Sequence, residues 1–281
     1  MRPAPNFGPN PWHQTQWDWR AAANFVFGGA GSGLIVFAAL SPARGQLLTA
    51  LLLGGLALVG TGLACVWLEI GRPWRAFNVF LSPRLSWMTR EAMVATLLFP
   101  VGLAAAVAAP ALTWVAAALA LAFVICQGAM VHAAKGIPAW RDSMVPPLII
   151  ATGLAEGGGL LLAATAWQGA APPQMLAIVV LVLLARATLW YFYRRRLDGA
   201  AAPGALVQLD RAGRVLHLAG TLLPLLLIVA AVLAGGALAA PALALAGLAA
   251  AASGAFMKYT LVTRAAFNQG FSLAHLPVRG G

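Results

Sequence analysis

The sequence predicts an all-α fold, a polytopic membrane bundle of about eight transmembrane helices that forms a single domain over residues 1–281. Of the 281 residues, 61% are hydrophobic and 9% are charged, whereas a soluble domain has about 25% charged residues. The apolar residues come in runs of roughly 20, the length that crosses the hydrocarbon core of a bilayer. Membrane lipid is therefore the solvent for most of this chain.

The apolar runs, taken in order, predict the bounds of the eight helices. They lie at roughly 20–40, 46–69, 89–109, 112–133, 145–167, 172–193, 215–238 and 240–262. Turns at Ala109-Pro110, Ala171-Pro172-Pro173 and Ala240-Pro241 end one helix and start the next, which predicts three helical hairpins. Glycine runs at 28–33 and 157–159 predict close helix packing, because small residues let two backbones approach in lipid.

The distribution of charge predicts the orientation. Lys and Arg number 18 against 7 Asp and Glu. Nearly all basic loop residues fall on the face that holds both termini, and the opposite face has only Arg44. The positive-inside rule then predicts that both termini are cytoplasmic. We expect the membrane to be a bacterial inner membrane. Nucleic acid is not expected as a partner, since the loops are short and provide no surface of mixed aromatic and basic residues.

Metal and haem centres are not expected in this chain. Cys65 and Cys126 lie in apolar runs without the Cys-x-x-Cys spacing that iron–sulfur clusters and c-type haem need. The four histidines lie near helix ends or in terminal segments, so the mid-membrane histidine pairs that bind b-type haem are missing.

Two ionisable residues fall inside apolar runs, where each needs a partner or a function. Glu156 is about 16 Å into the fifth helix, close to the membrane midplane. Arg186 lies in the sixth helix, its hairpin neighbour. We expect an intramembrane pair between Glu156 and Arg186, with proton conduction as the alternative.

A second group of ionisable residues gathers at the helix ends on the face of the termini. A polar pocket there would suit a quinone head group, whose carbonyl oxygens need donors and whose two-electron chemistry needs proton exchange. Snorkelling or pairing at the interface is the alternative for Glu69, Glu91 and Lys258. The residues predicted to bind quinone and exchange protons are His13, Glu69, Glu91 and His132.

The loop between the second and third helices contains a sequence pattern that is similar to a known family. It reads Gly71-x-Pro73-x-Arg75-Ala76-Phe77-Asn78, followed by Ser86 and Glu91, and further agreement comes from Trp12-His13 and from Pro138 and Trp140. With the eight-helix plan, the pattern resembles the membrane-anchor subunit of the dimethyl sulfoxide reductase family, which is DmsC-like and related to the NrfD and polysulfide reductase anchors. The segment 258–270 is similar to a subgroup linked with phenylacetyl-CoA:acceptor oxidoreductase.

The resemblance implies an anchor that exchanges electrons with menaquinone or ubiquinone and binds no haem. Its partners would be an iron–sulfur subunit and a molybdopterin catalytic subunit, and Glu91 matches the acidic functional position of the family. Glu69 replaces the histidine that the family has before its Leu-Gly-x-Pro, which leaves the proton-handling detail open. A cytoplasmic catalytic subunit would suit a substrate such as a CoA thioester. The residues expected to dock the iron–sulfur subunit are Arg72, Pro73, Arg75, Asn78 and Arg90.

Two other functions stay open at this stage. A secondary transporter is favoured by Glu156 at mid-depth among glycines, although no internal repeat is evident. The third possibility is a structural anchor that binds partners but no quinone. Catalysis by the chain alone is not expected, because it has no nucleophile and base in a recognisable pattern.

Overall fold

The computed structural model describes residues 10–69, 78–80, 84, 86–169 and 171–270. Within those ranges, eight helices are long and apolar enough to cross a membrane. The chain is therefore an all-α, multi-pass integral membrane protein, which confirms the predicted fold class and helix number. The helices are α1 (Trp19–Leu40), α2 (Gly45–Trp67), α3 (Trp87–Val107), α4 (Pro110–Ala133), α5 (Val145–Thr165), α6 (Pro173–Arg196), α7 (Pro203–Ala234) and α8 (Gly236–Arg264).

Two of the three predicted proline turns are confirmed, and the third is wrong. Pro110 starts α4 and Pro173 starts α6, each in the first turn, where the missing N–H of proline costs nothing. Between α7 and α8 the chain turns at Gly235 and Gly236, whose φ angles are 59° and 56°. Only glycine adopts this left-handed region freely, so the turn forms at the glycine pair and Pro241 lies inside α8.

Helix α7 begins at Pro203, well before the predicted start at 215. Its first four turns include exposed Asp210, Arg211 and Arg214, which interrupt the apolar pattern. The other side of those turns is buried in the protein, which holds them in a helix. At 32 residues, α7 is about 48 Å long and exceeds the roughly 30 Å hydrocarbon core, so its first turns extend beyond the lipid. The buried residues of these turns are Ala205, Leu209, Ala212, Gly213 and Leu216.

Helices α1 and α5 form the centre of the bundle. Their apolar windows are 72% and 67% buried, more than those of the other six spans. A Cβ added at Gly157 would lie 2.0 Å from the carbonyl carbon of Gly33, and one at Gly247 would lie 2.1 Å from the carbonyl oxygen of Gly159. These glycines allow backbone contact of α5 with α1 and with α8, which confirms the packing interpretation of the glycine runs.

A layer of residues closes the end of the bundle where α1 begins and α8 ends, which we call the terminal face. The backbone of Gln14 donates to Ala266 (2.9 Å), and that of Asn268 donates to Trp12 (3.1 Å). These bonds join the segment before α1 to the segment after α8. A stacked aromatic pair adds to this closure, with Trp17 lying 4.8 Å from Trp140 between ring centroids. Trp140 belongs to a one-turn helix, Pro138–Arg141.

Candidate functional site

The first helix contains a π-helical segment, Asn24–Gly28. Such π-helical turns often occur at functional sites. Here three consecutive carbonyls accept hydrogen bonds from side chains of two other helices, α4 and α8. The bonds are Gln127 Nε2 to Asn24 O (2.8 Å), Lys258 Nζ to Phe25 O (2.5 Å) and Lys258 Nζ to Val26 O (3.3 Å).

A buried ion pair joins this segment to α5. Lys258 Nζ lies 2.6 Å from Glu156 Oε2, and the two side chains are 0% and 1% exposed. The Glu156 carboxylate and the carbonyls of Phe25 and Val26 together provide one acceptor for each of the three N–H groups of the ammonium. Two glycines leave space for the pair. A Cβ added at Gly29 would lie 2.4 Å from Lys258 Nζ, and one added at Gly254 would lie 2.7 Å from Glu156 Oε1.

The predicted direct pair between Glu156 and Arg186 is wrong. Arg186 is fully buried, but its Nη1 donates to Ala250 O (3.0 Å) and its Nη2 donates to Gly220 O. The guanidinium group is thus held by carbonyls of α7 and α8, and no ion pair with Glu156 forms. Lys258 takes that place because it extends into the bundle from α8, although its position in the sequence predicted a helix end.

Glu91 of α3 is the second buried carboxylate, with 3% exposure. Asn24 Nδ2 donates to Glu91 Oε1 over 3.1 Å. Gln127 lies in the same region, because its Nε2 donates to the backbone of Asn24 over 2.8 Å. Its Oε1 and Lys258 Nζ both lie against Gly29, 3.5 Å and 2.4 Å from an added Cβ. We call the resulting set the polar junction. Its members are Asn24, Glu91, Gln127, Glu156 and Lys258, from α1, α3, α4, α5 and α8.

Three buried oxygen atoms of the polar junction have no hydrogen-bond partner in the described chain. They are Asn24 Oδ1, Gln127 Oε1 and Glu156 Oε1. Buried polar atoms are seldom left unpaired, so the junction provides acceptors for a molecule with donor groups. The hydroxyls of a quinol are donors of this kind, and the Glu91 carboxylate can take a proton from one. The chemistry of these residues therefore fits a quinol head group.

The structure does not join the four predicted quinone residues to one another: no hydrogen bond or ion pair links any two of them in the part of the chain that it describes. Of the four, Glu91 alone belongs to the polar junction. His13 is exposed on the terminal face, where its Nε2 contacts Thr263 O and its ring meets Phe267 edge-on at 5.2 Å.

His132 is bonded at the end of α4. Its Nδ1 lies 3.1 Å from Asp142 O, and its Nε2 lies 2.8 Å from Lys135 Nζ. Both nitrogens thus have partners close to the helix end. These contacts fix the loop that leads to α5.

Glu69 lies in the turn after α2, beside the start of α1. Burial raises the pKa of its carboxyl group, and the nearby negative charge of Asp18 raises it further. The pKa of Asp18 is lowered, chiefly by the hydrogen bond from the Arg20 side chain. Arg20 also lies 2.8 Å from Asp18 in an ion pair and donates to Leu68 O over 3.1 Å. Glu69 thus belongs to an interfacial charge group at the terminal face.

The predicted docking residues are described only in part. Asn78 is exposed in a short 3₁₀ turn. The guanidinium of Arg90 lies 4.2 Å above the ring of Trp87, and its Nη2 donates to Arg84 O over 3.0 Å. The remaining members lie outside the described residues: Arg72, Pro73 and Arg75.

Two members of the polar junction, Asn24 and Gln127, were not predicted from the sequence. Both are amides within apolar runs, and a polar side chain in such a run usually hydrogen-bonds across helices. That signal was available. Among the residues with described structure, no group of three or more His, Cys, Asp or Glu side chains is arranged to hold a metal ion. No protein-family model and no curated protein matches the sequence.

Proposed function

We propose that this chain is the quinone-interacting membrane-anchor subunit of a molybdopterin and iron–sulfur oxidoreductase complex. The observation that carries the proposal is the buried carboxylate of Glu91, which is 3% exposed and bonded by Asn24 from a π-helical turn. Burying an ionisable group in a membrane protein is costly and usually serves a function. The resemblance of the 71–78 loop and of Glu91 to dimethyl sulfoxide reductase anchors supports the same assignment.

The residues of the polar junction would have distinct roles in this function. A bound quinone supplies the redox chemistry, in which the quinol loses two electrons and two protons to become the quinone. Glu91 accepts one of these protons in quinol oxidation and donates one in the reverse direction. Asn24 orients the carboxylate through its 3.1 Å hydrogen bond. Gln127 and Lys258 hold the π-helical segment in place through its carbonyls.

Electrons would pass between the quinone and an iron–sulfur cluster of the partner subunit at the terminal face. In this proposal the terminal face is cytoplasmic. The concentration of basic residues supports that orientation, since Arg90, Arg141 and Arg264 lie at this face and Arg44 lies at the other. A catalytic subunit docked there would act on a cytoplasmic substrate, for which a CoA thioester is the candidate.

The test is Glu91→Gln in the complete complex, reconstituted in membranes. Quinone-dependent turnover should fall by about 100-fold or more, the typical contribution of a positioned acid or base. Turnover with a soluble dye that bypasses the quinone should stay unchanged, because the partner subunits remain docked. Asp18→Asn, which alters an interfacial carboxylate at the start of α1, is the matched control and should keep quinone turnover. Unchanged quinone turnover in Glu91→Gln would remove Glu91 from the mechanism.

Secondary transport is a second candidate, favoured by the Glu156–Lys258 ion pair. The pair is buried in the glycine-lined centre of the bundle, and transporters often bind substrate and coupling ions at that depth. Vesicles that contain only this chain distinguish the two functions. Solute-stimulated proton uptake that is lost in Glu156→Gln would support transport, and its absence would support the anchor.

A further inference from the structure

A cavity of about 530 Å³ opens between α6 and α7 at the terminal face, among helices that contribute nothing to the polar junction. Its lining is mixed. Trp190, Tyr191 and Leu218 form an aromatic and apolar part, and Arg195, Arg214 and His217 form a basic part. This combination is typical of the boundary between the hydrocarbon core and the head groups of a bilayer.

The apolar part of the cavity is open to lipid. Tyr191 is 50% exposed and Leu218 is 61% exposed, and both belong to membrane-spanning helices. Apolar side chains so exposed on a spanning helix contact acyl chains. A molecule that occupied the cavity would thus have a tail in the lipid and a polar group at the arginines.

The two acidic residues of the cavity do not neutralise Arg195 and Arg214. Arg194 binds both carboxylates, with Nε 2.6 Å from Asp210 and Nη1 2.5 Å from Asp198. That leaves two arginines without a carboxylate partner in the described ranges. Arg195 donates to the Tyr191 hydroxyl over 2.7 Å, and the Arg214 side chain has no hydrogen bond or ion pair there.

The floor of the cavity provides a further donor. Trp190 is 2% exposed, and no described atom accepts a hydrogen bond from its indole N–H. The indole nitrogen lies beside Gly213, where an added Cβ would approach it to 2.4 Å. Two guanidinium groups and an indole N–H around one space match the oxygen atoms of a phosphate group.

We propose that this cavity binds the phosphate of an anionic phospholipid, with Arg195 and Arg214 on the head group and the acyl chains along Tyr191 and Leu218. Arginine suits this role because its planar fork donates two hydrogen bonds to phosphate and keeps its charge at the membrane surface. The site is independent of quinone chemistry. It would fix the α6–α7 hairpin to one leaflet.

Native mass spectrometry of the purified full chain, titrated with phosphatidylglycerol, tests the proposal. The double variant Arg195→Gln/Arg214→Gln should bind the lipid about 30-fold more weakly than the wild type, since each arginine near a membrane surface contributes about a fivefold factor. Arg211→Gln is the matched control. It removes an exposed arginine of the same helix that does not line the cavity, and it should bind like the wild type.

Two results would overturn the proposal. Equal lipid binding by the double variant and the wild type would overturn the proposal. Displacement of the lipid by inorganic phosphate at a similar concentration would also overturn it, because the ligand would then be the free anion. If the double variant is unstable, Arg214→Gln replaces it. That side chain has no described intramolecular partner, so this single change must weaken lipid binding by about 5-fold or more.

Discussion

Lys258→Met removes the ammonium group that joins α8 to α1 and α5, and it leaves the Glu156 carboxylate buried without a counter-charge. Both side chains are almost completely buried, and Nζ is bonded to Glu156 Oε2 and to two carbonyls of the π-helical segment. Breaking a buried ion pair by removing one partner costs about 3–5 kcal/mol, most of which is the penalty for the charge that remains. We therefore expect Lys258→Met to lower the free energy of unfolding by that amount.

The double variant Glu156→Gln/Lys258→Met separates this explanation from a simple loss of packing. With no charge left behind, it should be more stable than Lys258→Met by about 2–3 kcal/mol. Equilibrium unfolding of the detergent-solubilised chain, monitored by circular dichroism, measures all the variants. Arg211→Met removes an exposed cation of α7 and should change stability by less than about 0.5 kcal/mol. A Lys258→Met cost below about 1 kcal/mol would refute the reasoning. So would a cost of the double variant equal to the sum of the costs of Glu156→Gln and Lys258→Met.

Two further perturbations test the packing and the interfacial charges. Gly157→Ala places a methyl group 2.0 Å from the Gly33 backbone and should lower the free energy of unfolding by about 1–3 kcal/mol or more. Gly60→Ala is the control, since its Cβ would lie 3.5 Å from the nearest atom, and it should be neutral or slightly stabilising. Equal effects of the two variants would contradict the packing scheme. The pKa of the Glu69 carboxyl group is raised in the folded protein, so folding favours the protonated carboxyl. The stabilisation from this group is therefore complete below the unfolded pKa near 4.5 and is lost as pH rises through the folded pKa. Melting curves of Glu69→Gln and the wild type should thus coincide near pH 4. Above pH 5 the variant should be more stable, by less than about 1 kcal/mol at this partly solvated site. A constant difference at every pH would contradict the explanation that burial and Asp18 raise the pKa of Glu69.

The number and order of helices could be predicted because lipid requires long apolar runs and because proline and glycine interrupt them. The start of α7 was missed, since Asp210, Arg211 and Arg214 break the apolar pattern in turns that leave the lipid. The last turn was misplaced because two glycines with positive φ end α7 before the proline is reached.

The burial of Glu156 could be predicted, and its partner could not. Glu156 stands out as an ionisable group inside an apolar run, whereas Glu91 was expected at a helix end, and both are buried. The partner of Glu156 depends on how α5 packs on α8, and Lys258 is 102 positions away in the chain. No local pattern in the sequence predicted the π-helical segment at Asn24, whose carbonyls accept hydrogen bonds from Gln127 and Lys258.

Co-purification with metal analysis tests the proposed anchor function most directly. The tagged full chain is extracted in a gentle detergent, and molybdenum and iron are measured in the purified material. We expect both metals to co-purify with the chain in a stable complex with two further subunits. A chain that purifies alone and free of both metals under these conditions would contradict it.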